Sequence, residues 1–146
     1  MLADTATRRE ECNCLAVRQA ARHVTQSYDQ IMASTGLRAT QFSILAKLQR
    51  LGPLTINALA AAMVMDRTSL GRTIQPLVHQ GLVAVTRGTA DRRTKELHLT
   101  DAGAERLRDA VKLWIRAQDR FAQIFGSERT ADLRALMHAV VASELA

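Results

Sequence analysis

The sequence of 146 residues predicts a mainly α-helical protein that carries one small β-hairpin. Six segments contain apolar residues spaced by three and four positions, which is the pattern of a helix with one buried face. Two shorter apolar runs, at residues 82–85 and 97–99, favour extended strands, and residues 88–93 connect them as a hairpin loop. We therefore expect one domain, or two small layers that share a core.

The first two predicted helices lie at the start of the chain. The first carries apolar residues from Val17 to Met32 along one face and ends at residues 34–36. The second begins with Thr40 as its N-cap and ends at the Gly-Pro pair at 52–53. Each of them is expected to bury its apolar face.

The next two predicted helices form a helix-turn-helix. Thr55 is expected to start the third helix, and residues 64–65 form a short break after it. Asp66 then accepts backbone hydrogen bonds at the start of the fourth helix, which runs to about Gln80 before a stop at Gly81. Because the hairpin follows directly, the pattern predicts a winged helix-turn-helix.

Two further helices complete the predicted fold. Thr100 caps the fifth helix, and the last helix follows Gly126. The last helix is expected to bury a row of apolar residues: Leu133, Leu136, Met137, Val140, Val141 and Leu145. The terminal helices carry more apolar surface than a small winged helix needs, so we expect a symmetric homodimer. The alternative is a monomer whose terminal helices fold back on their own domain.

The predicted organisation has two parts, and the positive charge is concentrated in one of them. Residues 1–36 and 101–146 are expected to form a helical dimerisation region, and residues 37–100 a winged helix-turn-helix domain. The formal charge is +6, and residues 50–95 contain seven basic residues but only two acidic ones. This excess favours a polyanionic partner such as double-stranded DNA.

Several other classes of protein are disfavoured. No apolar run approaches the roughly 18 residues of a membrane span, and the polar start MLADTATRREE lacks the apolar centre of a secretory signal. We expect a soluble cytoplasmic protein without membrane contact. The sequence has no nucleophile elbow, phosphate loop, dinucleotide fingerprint or zinc-helix motif, so we expect no enzyme activity, cofactor or metal.

The outer face of the fourth helix is polar and is the candidate for contacts in the major groove. Leu70 and Ile74 follow the buried spacing, whereas Gly71 lies outside. The candidate DNA-binding residues of this helix are Arg67, Thr68, Ser69, Arg72 and Gln75. Arginine and glutamine bind guanine and adenine edges with two hydrogen bonds each. The alternative, a solvated polar face, is less consistent with the hairpin that follows.

The order of these elements resembles the MarR family of bacterial winged-helix transcription regulators. The resemblance is carried by HQGLVAVTRGTADRRTKELHLTDAG, which holds an Asp-x-Arg pair followed by Leu-Thr-x-x-Gly. In this chain these residues are Asp91, Arg93, Leu99, Thr100 and Gly103. The resemblance implies a dimeric repressor that binds a pseudo-palindromic operator and is released by a small ligand or by oxidation.

The same resemblance assigns roles to the wing. It implies that Arg93 enters the minor groove and that Asp91 holds its guanidinium in place. An inserted arginine is favoured where a narrow minor groove concentrates negative potential. Arg87, Arg92 and Lys95 are then expected to contact phosphates, with an affinity that falls with salt.

The expected effector is a small aromatic molecule such as a phenolic compound. The resemblance places its cavity between the first and fifth helices and the DNA-binding lobe. A third hypothesis, besides regulator and enzyme, is a basic helical module that binds acidic protein.

Two cysteines, Cys12 and Cys14, offer an alternative signal. The spacing from Cys14 to Tyr28 is similar to that of the organic-hydroperoxide-sensing branch of the family, and the positive end of a helix favours a thiolate. The chain has Ala39 near the position of that branch's second tyrosine, and it lacks a distant resolving cysteine. The competing interpretation is that these cysteines are small buried apolar residues.

Overall fold

The computed structural model describes residues 2–146, which form seven α-helices, one turn of 3-10 helix at Ala33–Thr35 and three short strands. The helices and strands follow in this order: α1 (Leu2–Glu10), α2 (Asn13–Met32), α3 (Ala39–Leu51), β1 (Leu54–Thr55), α4 (Ile56–Met63), α5 (Arg67–His79), β2 (Val83–Arg87), β3 (Lys95–Leu99), α6 (Asp101–Phe125) and α7 (Ser127–Ala142). The predicted winged helix-turn-helix, mainly helical with a small hairpin, is therefore confirmed.

The sheet has one strand more than the sequence predicts. Strand β3 lies in the centre and pairs antiparallel with β2 on one side and β1 on the other. Strand β1 places Leu54 opposite Leu97. Two residues are too few to produce an alternating pattern, so the sequence carries no signal for β1.

The apolar core lies within the winged helix-turn-helix and under the first half of α6. Its fully buried large side chains come from α2, α3, α4, α5 and β2: Met32, Ile44, Leu45, Leu48, Leu59, Leu70, Leu77 and Val83. Trp114 of α6 stacks on Phe42 of α3 with ring centroids 5.7 Å apart. Trp114 is half-buried and thus packs on the edge of the core.

The helix-turn-helix begins both of its helices with the predicted caps. The Thr55 hydroxyl accepts a hydrogen bond of 3.1 Å from the Ala58 N–H. Asp66 Oδ1 accepts one of 2.8 Å from the Ser69 N–H. Between the two helices Val64 adopts a left-handed conformation with φ of 53°, which makes the turn without a glycine.

Thr40 is not the cap of α3, contrary to the sequence prediction. The helix begins at Ala39, so Thr40 lies inside its first turn. Gln41 Oε1 accepts from the Arg38 N–H at 3.0 Å, and Asp29 Oδ1 accepts from the Ala39 N–H at 2.7 Å. These two side chains satisfy backbone donors at the start of the helix, which therefore begins at Ala39 and needs no cap at Thr40.

Two helices, α1 and α2, replace the single predicted N-terminal helix, and the first half of the apolar face of α2 is exposed to solvent. Helical structure is interrupted at Glu11 and Cys12, so a separate helix, α1, precedes the predicted one. Within α2 only Met32 is buried, whereas Val17 is 43% exposed. The predicted burial of this face is confirmed only near its C-terminal end, where Val24, Tyr28 and Ile31 are half-buried and Met32 is buried; residues 17–21 are exposed.

The last helix is likewise exposed where burial was predicted. Leu136, Val140 and Val141 are 63%, 44% and 62% exposed, and Leu145 lies beyond the end of α7. Helix α7 packs mainly on α6, so these residues have no core of their own chain to cover them. Apolar periodicity correctly identified the face but not what covers it.

The base of the wing is joined to α6 through Thr100. Its hydroxyl accepts from the Gly103 N–H at 3.0 Å, as a cap, and donates to the Gly81 carbonyl at 2.6 Å. The Thr100 N–H donates to the Leu82 carbonyl at 3.1 Å. A methyl group on Gly103 would overlap that same Leu82 oxygen, so the glycine lets the two segments touch.

Gly103→Ala is expected to lower the free energy of unfolding by about 1 to 3 kcal/mol, because the added methyl group overlaps the Leu82 carbonyl. Gly71→Ala is the matched control within another helix, since nothing lies within 4 Å of its added methyl group. It should leave stability unchanged or raise it by up to about 1 kcal/mol. Chemical denaturation followed by circular dichroism measures both, and equal stabilities would contradict the close contact.

Candidate nucleic-acid interface

Helix α5 presents the predicted polar face to solvent. Leu70, Ile74 and Leu77 are buried. The five candidate residues on its other face are exposed: Arg67, Thr68, Ser69, Arg72 and Gln75. Ser69 also serves the helix start, because its hydroxyl donates to Asp66 Oδ2 at 2.7 Å. The face available for base edges therefore has arginine and glutamine as its longest donors.

A basic groove separates α5 from the wing. Its cavity measures about 790 Å³ and brings Arg67 and Gln75 of α5 together with Arg93 and Lys95 of the wing. Asn57, in the first turn of α4, also lines it. Asn57 was not among the predicted contacts; its place in the first turn of a helix, two residues after the Thr55 cap, was the available signal.

The other predicted contacts lie outside the walls of this groove. Asp91 is half-buried, and the others are exposed on α5, β2 and the wing loop: Thr68, Ser69, Arg72, Arg87 and Arg92. Among residues 2–146, Arg93 forms an ion pair with Asp91, and His98 Nε2 lies 3.7 Å from Glu96 Oε2. Within that range no other arginine or lysine of α5 and the wing forms an ion pair with a carboxylate, which favours a polyanion nearby.

The wing loop, residues 88–94, folds tightly on itself. The Gly88 N–H donates to the Thr94 carbonyl at 2.9 Å. The Thr94 N–H and hydroxyl both donate to the Asp91 carbonyl, at 3.1 and 2.7 Å. Gly88 is buried, and a methyl group there would overlap the Thr94 hydroxyl and the Asp91 carbonyl. The need for glycine at position 88 could not be predicted from the sequence, because it depends on the close contact in space between Gly88 and Thr94.

Arg93 and Asp91 form a pair at the tip of this loop. Asp91 Oδ1 accepts from the Arg93 N–H at 3.0 Å and from its Nε at 3.2 Å, and Oδ2 accepts from Nη2 at 3.3 Å. The Arg93 side chain is nevertheless 91% exposed. The Arg93 guanidinium and then its backbone N–H hold the pKa of Asp91 below its ordinary value. Asp91 therefore remains ionised and orients one edge of a solvent-facing arginine.

The two cysteines lie at the start of α2 and are both exposed. Cys12 is the N-cap, and its Sγ accepts from the Leu15 N–H at 3.4 Å. The interpretation of these residues as buried apolar side chains is therefore wrong. A redox role for Cys14 stays a prediction.

A second groove, of about 590 Å³, lies between α2, α6 and α7. The Tyr28 hydroxyl donates to Gln118 Oε1 within it, so this half-buried amide of α6 has a partner. Burial raises the pKa of Tyr28, and the charge of Arg134 opposes this shift. Residues 37–100 do not line the groove, so it differs from the cavity that the resemblance implied.

Among the described residues, we find no cluster of three or more histidine, cysteine, aspartate or glutamate side chains with the geometry to hold a metal ion. Of the helices in residues 2–146, none is both long and apolar enough to cross a membrane.

A winged helix-turn-helix with a basic, solvent-facing wing defines a class of DNA-binding regulators. A family model described as the MarR family matches residues 37–95. The chain belongs to the MarR family of winged-helix transcription regulators.

Individual relatives agree with this placement. The HTH-type transcriptional regulator PetP of Rhodobacter capsulatus is 32% identical over 91 residues, a match that covers 60% of this chain and 53%, about half, of PetP. The transcriptional regulator MosR of M. tuberculosis, solved in complex with DNA, is 35% identical with a TM-score of 0.77, covering 92% of this chain and 99% of MosR. The repressor CouR, bound to a 23-mer DNA duplex, is 26% identical with a TM-score of 0.80, covering 90% and 93%.

The cap of α5 is expected to make stability depend on pH. The Ser69 backbone N–H and then its hydroxyl lower the pKa of Asp66 from 3.8. A group whose pKa is lower in the folded state stabilises the fold above its unfolded value, and this contribution disappears as the pH falls through the folded value. Asp66→Ser keeps an acceptor that does not titrate there.

Chemical denaturation of both proteins between about pH 5 and pH 2 tests this expectation. Wild type should lose more stability on acidification than Asp66→Ser does. Parallel stability curves for the two proteins would show that Asp66 does not contribute.

Proposed function

We propose that this protein is a sequence-specific, DNA-binding transcription regulator, acting as a repressor. The observation that carries the proposal is the basic groove, which joins Arg67 and Gln75 of α5 to Arg93 and Lys95 of the wing on one face. The DNA complexes of MosR and CouR, which share this fold, support it further.

In the proposed complex, α5 enters the major groove and the wing lies over the adjacent minor groove. Arg67, Arg72 and Gln75 carry the donors and acceptors that distinguish base pairs, with Thr68 and Ser69 beside them. Arg93 enters the minor groove, oriented by Asp91. Phosphates are contacted by the other basic residues of the wing: Arg87, Arg92 and Lys95.

The regulator is proposed to be a homodimer that binds a pseudo-palindromic operator. Residues 1–36 and 101–146 form its dimerisation region, and residues 37–100 its DNA-binding domain. Support comes from the exposed apolar residues of α2 and α7, such as Val17 and Leu136, since contiguous apolar surface marks an interface. A two-fold axis sets the two α5 helices about one helical turn of DNA apart.

A small aromatic ligand, such as a phenolic compound, is the proposed signal for release. The groove between α2, α6 and α7 combines apolar walls with the Tyr28 hydroxyl and the Arg134 guanidinium. An effector must bind one spacing of the two α5 helices better than the other in order to change DNA affinity. The walls of this groove belong to the proposed dimerisation helices. A ligand bound there would therefore act on the spacing between the two α5 helices of the dimer.

A second candidate signal is oxidation of Cys14. It is favoured by the exposure of both thiols at the start of α2, the helix that also lines this groove. The thiol would take one oxygen from an organic hydroperoxide, which is reduced to the alcohol, and the resulting sulfenic acid adds a polar group at the start of α2.

Arg93→Ala is expected to weaken binding to duplex DNA by at least about fivefold, and to reduce the dependence of log affinity on log salt by about one. The reason is the loss of one inserted, solvent-exposed cation. The probe is a duplex enriched by the wild-type protein from a random-sequence library, and binding is measured by fluorescence anisotropy at several salt concentrations.

Arg93→Lys is the matched control for this experiment. It keeps the charge but lacks the planar fork that binds Asp91, so an intermediate affinity is expected. Unchanged affinity of Arg93→Ala would contradict the wing assignment and would favour a module that binds acidic protein.

Leu136→Asp is expected to raise the dissociation constant of the homodimer by more than about tenfold, because it places an unpaired charge in an apolar interface. Leu51→Asp is the control, since Leu51 is also exposed, at 46%, but lies at the end of α3. Analytical ultracentrifugation measures both variants. A Leu136→Asp protein that dimerises like wild type would exclude this face of α7 from the interface.

A further inference from the structure

The wing has a rear face, opposite to the basic groove. In the β2–β3 register, Arg87 pairs with Lys95, and Val85 pairs with Leu97. Side chains of adjacent residues point to opposite faces of a strand, so Glu96 and its partner Thr86 lie on the side away from Lys95. A carboxylate is thus built into the back of a basic, DNA-facing element.

Glu96 holds the start of the wing loop from this rear face. Its Oε1 accepts from the Thr89 N–H at 3.1 Å and from the Thr89 hydroxyl at 3.2 Å. The Glu96 side chain is only 14% exposed, whereas Thr89 is exposed, so a carboxylate packed against the strands holds a residue of the exposed loop. Thr89 follows the buried Gly88 and precedes the turn that carries Asp91 and Arg93.

The same carboxylate is itself held on β3. Glu96 Oε2 lies 3.7 Å from His98 Nε2, and that nitrogen lies 2.7 Å from the Thr86 hydroxyl on β2. The chain of contacts runs from Thr86 through His98 and Glu96 to Thr89. The rigid strands are thereby connected to the loop.

We propose that Glu96 is a positioning residue for DNA binding, which fixes the wing loop so that Arg93 meets the minor groove. The proposal rests on the function proposed above. It concerns hydrogen bonding and not charge. Long-range electrostatics oppose a carboxylate beside a polyanion, with a screening length of about 10 Å at moderate salt. Glu96 therefore contributes through the order that it imposes on the loop.

The hydrogen bonds of Glu96 and its negative charge predict opposite effects of Glu96→Ala on DNA affinity. Loss of an acceptor for Thr89 should weaken binding by about threefold to tenfold, the range that one hydrogen bond covers. Loss of a negative charge alone should strengthen binding. Glu96→Gln loses the charge but keeps an acceptor oxygen, so it should bind within about twofold of wild type.

The experiment uses the full chain and the duplex enriched by the wild-type protein, with anisotropy as the readout. Glu105→Ala, which removes an exposed carboxylate from α6, controls for net charge and should bind no more weakly than wild type. Thr89→Val removes one of the two donors to Glu96 and should give a smaller loss than Glu96→Ala. Thermal unfolding of each variant verifies that it is folded at the temperature of the binding measurement.

A double-mutant cycle with Arg93 decides whether Glu96 acts through the wing. If it does, Glu96→Ala should have little further effect in an Arg93→Ala background. Additive losses would overturn the proposal, as would equal or tighter binding by Glu96→Ala, or a Glu96→Gln protein as weak as Glu96→Ala. Failure of the wild-type protein to enrich any duplex would instead overturn the proposed function.

Discussion

The geometry of this molecule depends on the junction at Thr100, where the wing meets α6. One threonine caps a helix of 25 residues, binds the Gly81 carbonyl at the end of the α5 segment, and donates its N–H to Leu82. The absence of a side chain at Gly103 is what lets α6 start against the Leu82 carbonyl. Helix α5, the wing and α6 are therefore oriented by a few backbone atoms, and the Leu-Thr-x-x-Gly sequence is a packing requirement.

The wing is constrained on both of its faces. In front, Asp91 binds the guanidinium and backbone of Arg93. Behind, Glu96 binds Thr89. The charges that face outward are cations, whereas the carboxylates are used to orient them. Rigidity in a loop lowers the ordering cost of binding, so this arrangement prepares the wing before it meets a ligand.

The sequence predicted those features that are encoded locally. The caps Thr55, Asp66 and Thr100 need only one oxygen placed before an apolar, periodic segment, and the structure has all three. The prediction that Thr40 caps α3 was wrong because the helix begins at Ala39, whose N–H donates to Asp29 of another helix. The need for glycine at Gly88 was equally invisible, since it depends on a close approach in space. Periodicity identified the apolar faces of α2 and α7, but periodicity does not say what covers them.

Because α6 is long, a small tilt about the Thr100 junction produces a large displacement at the far end of the helix. At 1.5 Å per residue, the 25 residues of Asp101–Phe125 extend for roughly 37 Å. If its N-terminus stays fixed against Leu82, a tilt of only about 5° displaces the far end by about 3 Å, on simple helix geometry. That far end forms part of the groove between α2, α6 and α7. If α6 tilts as a rigid body about this junction, a displacement of about 3 Å in the walls of that groove corresponds to a rotation of about 5° at the base of the wing.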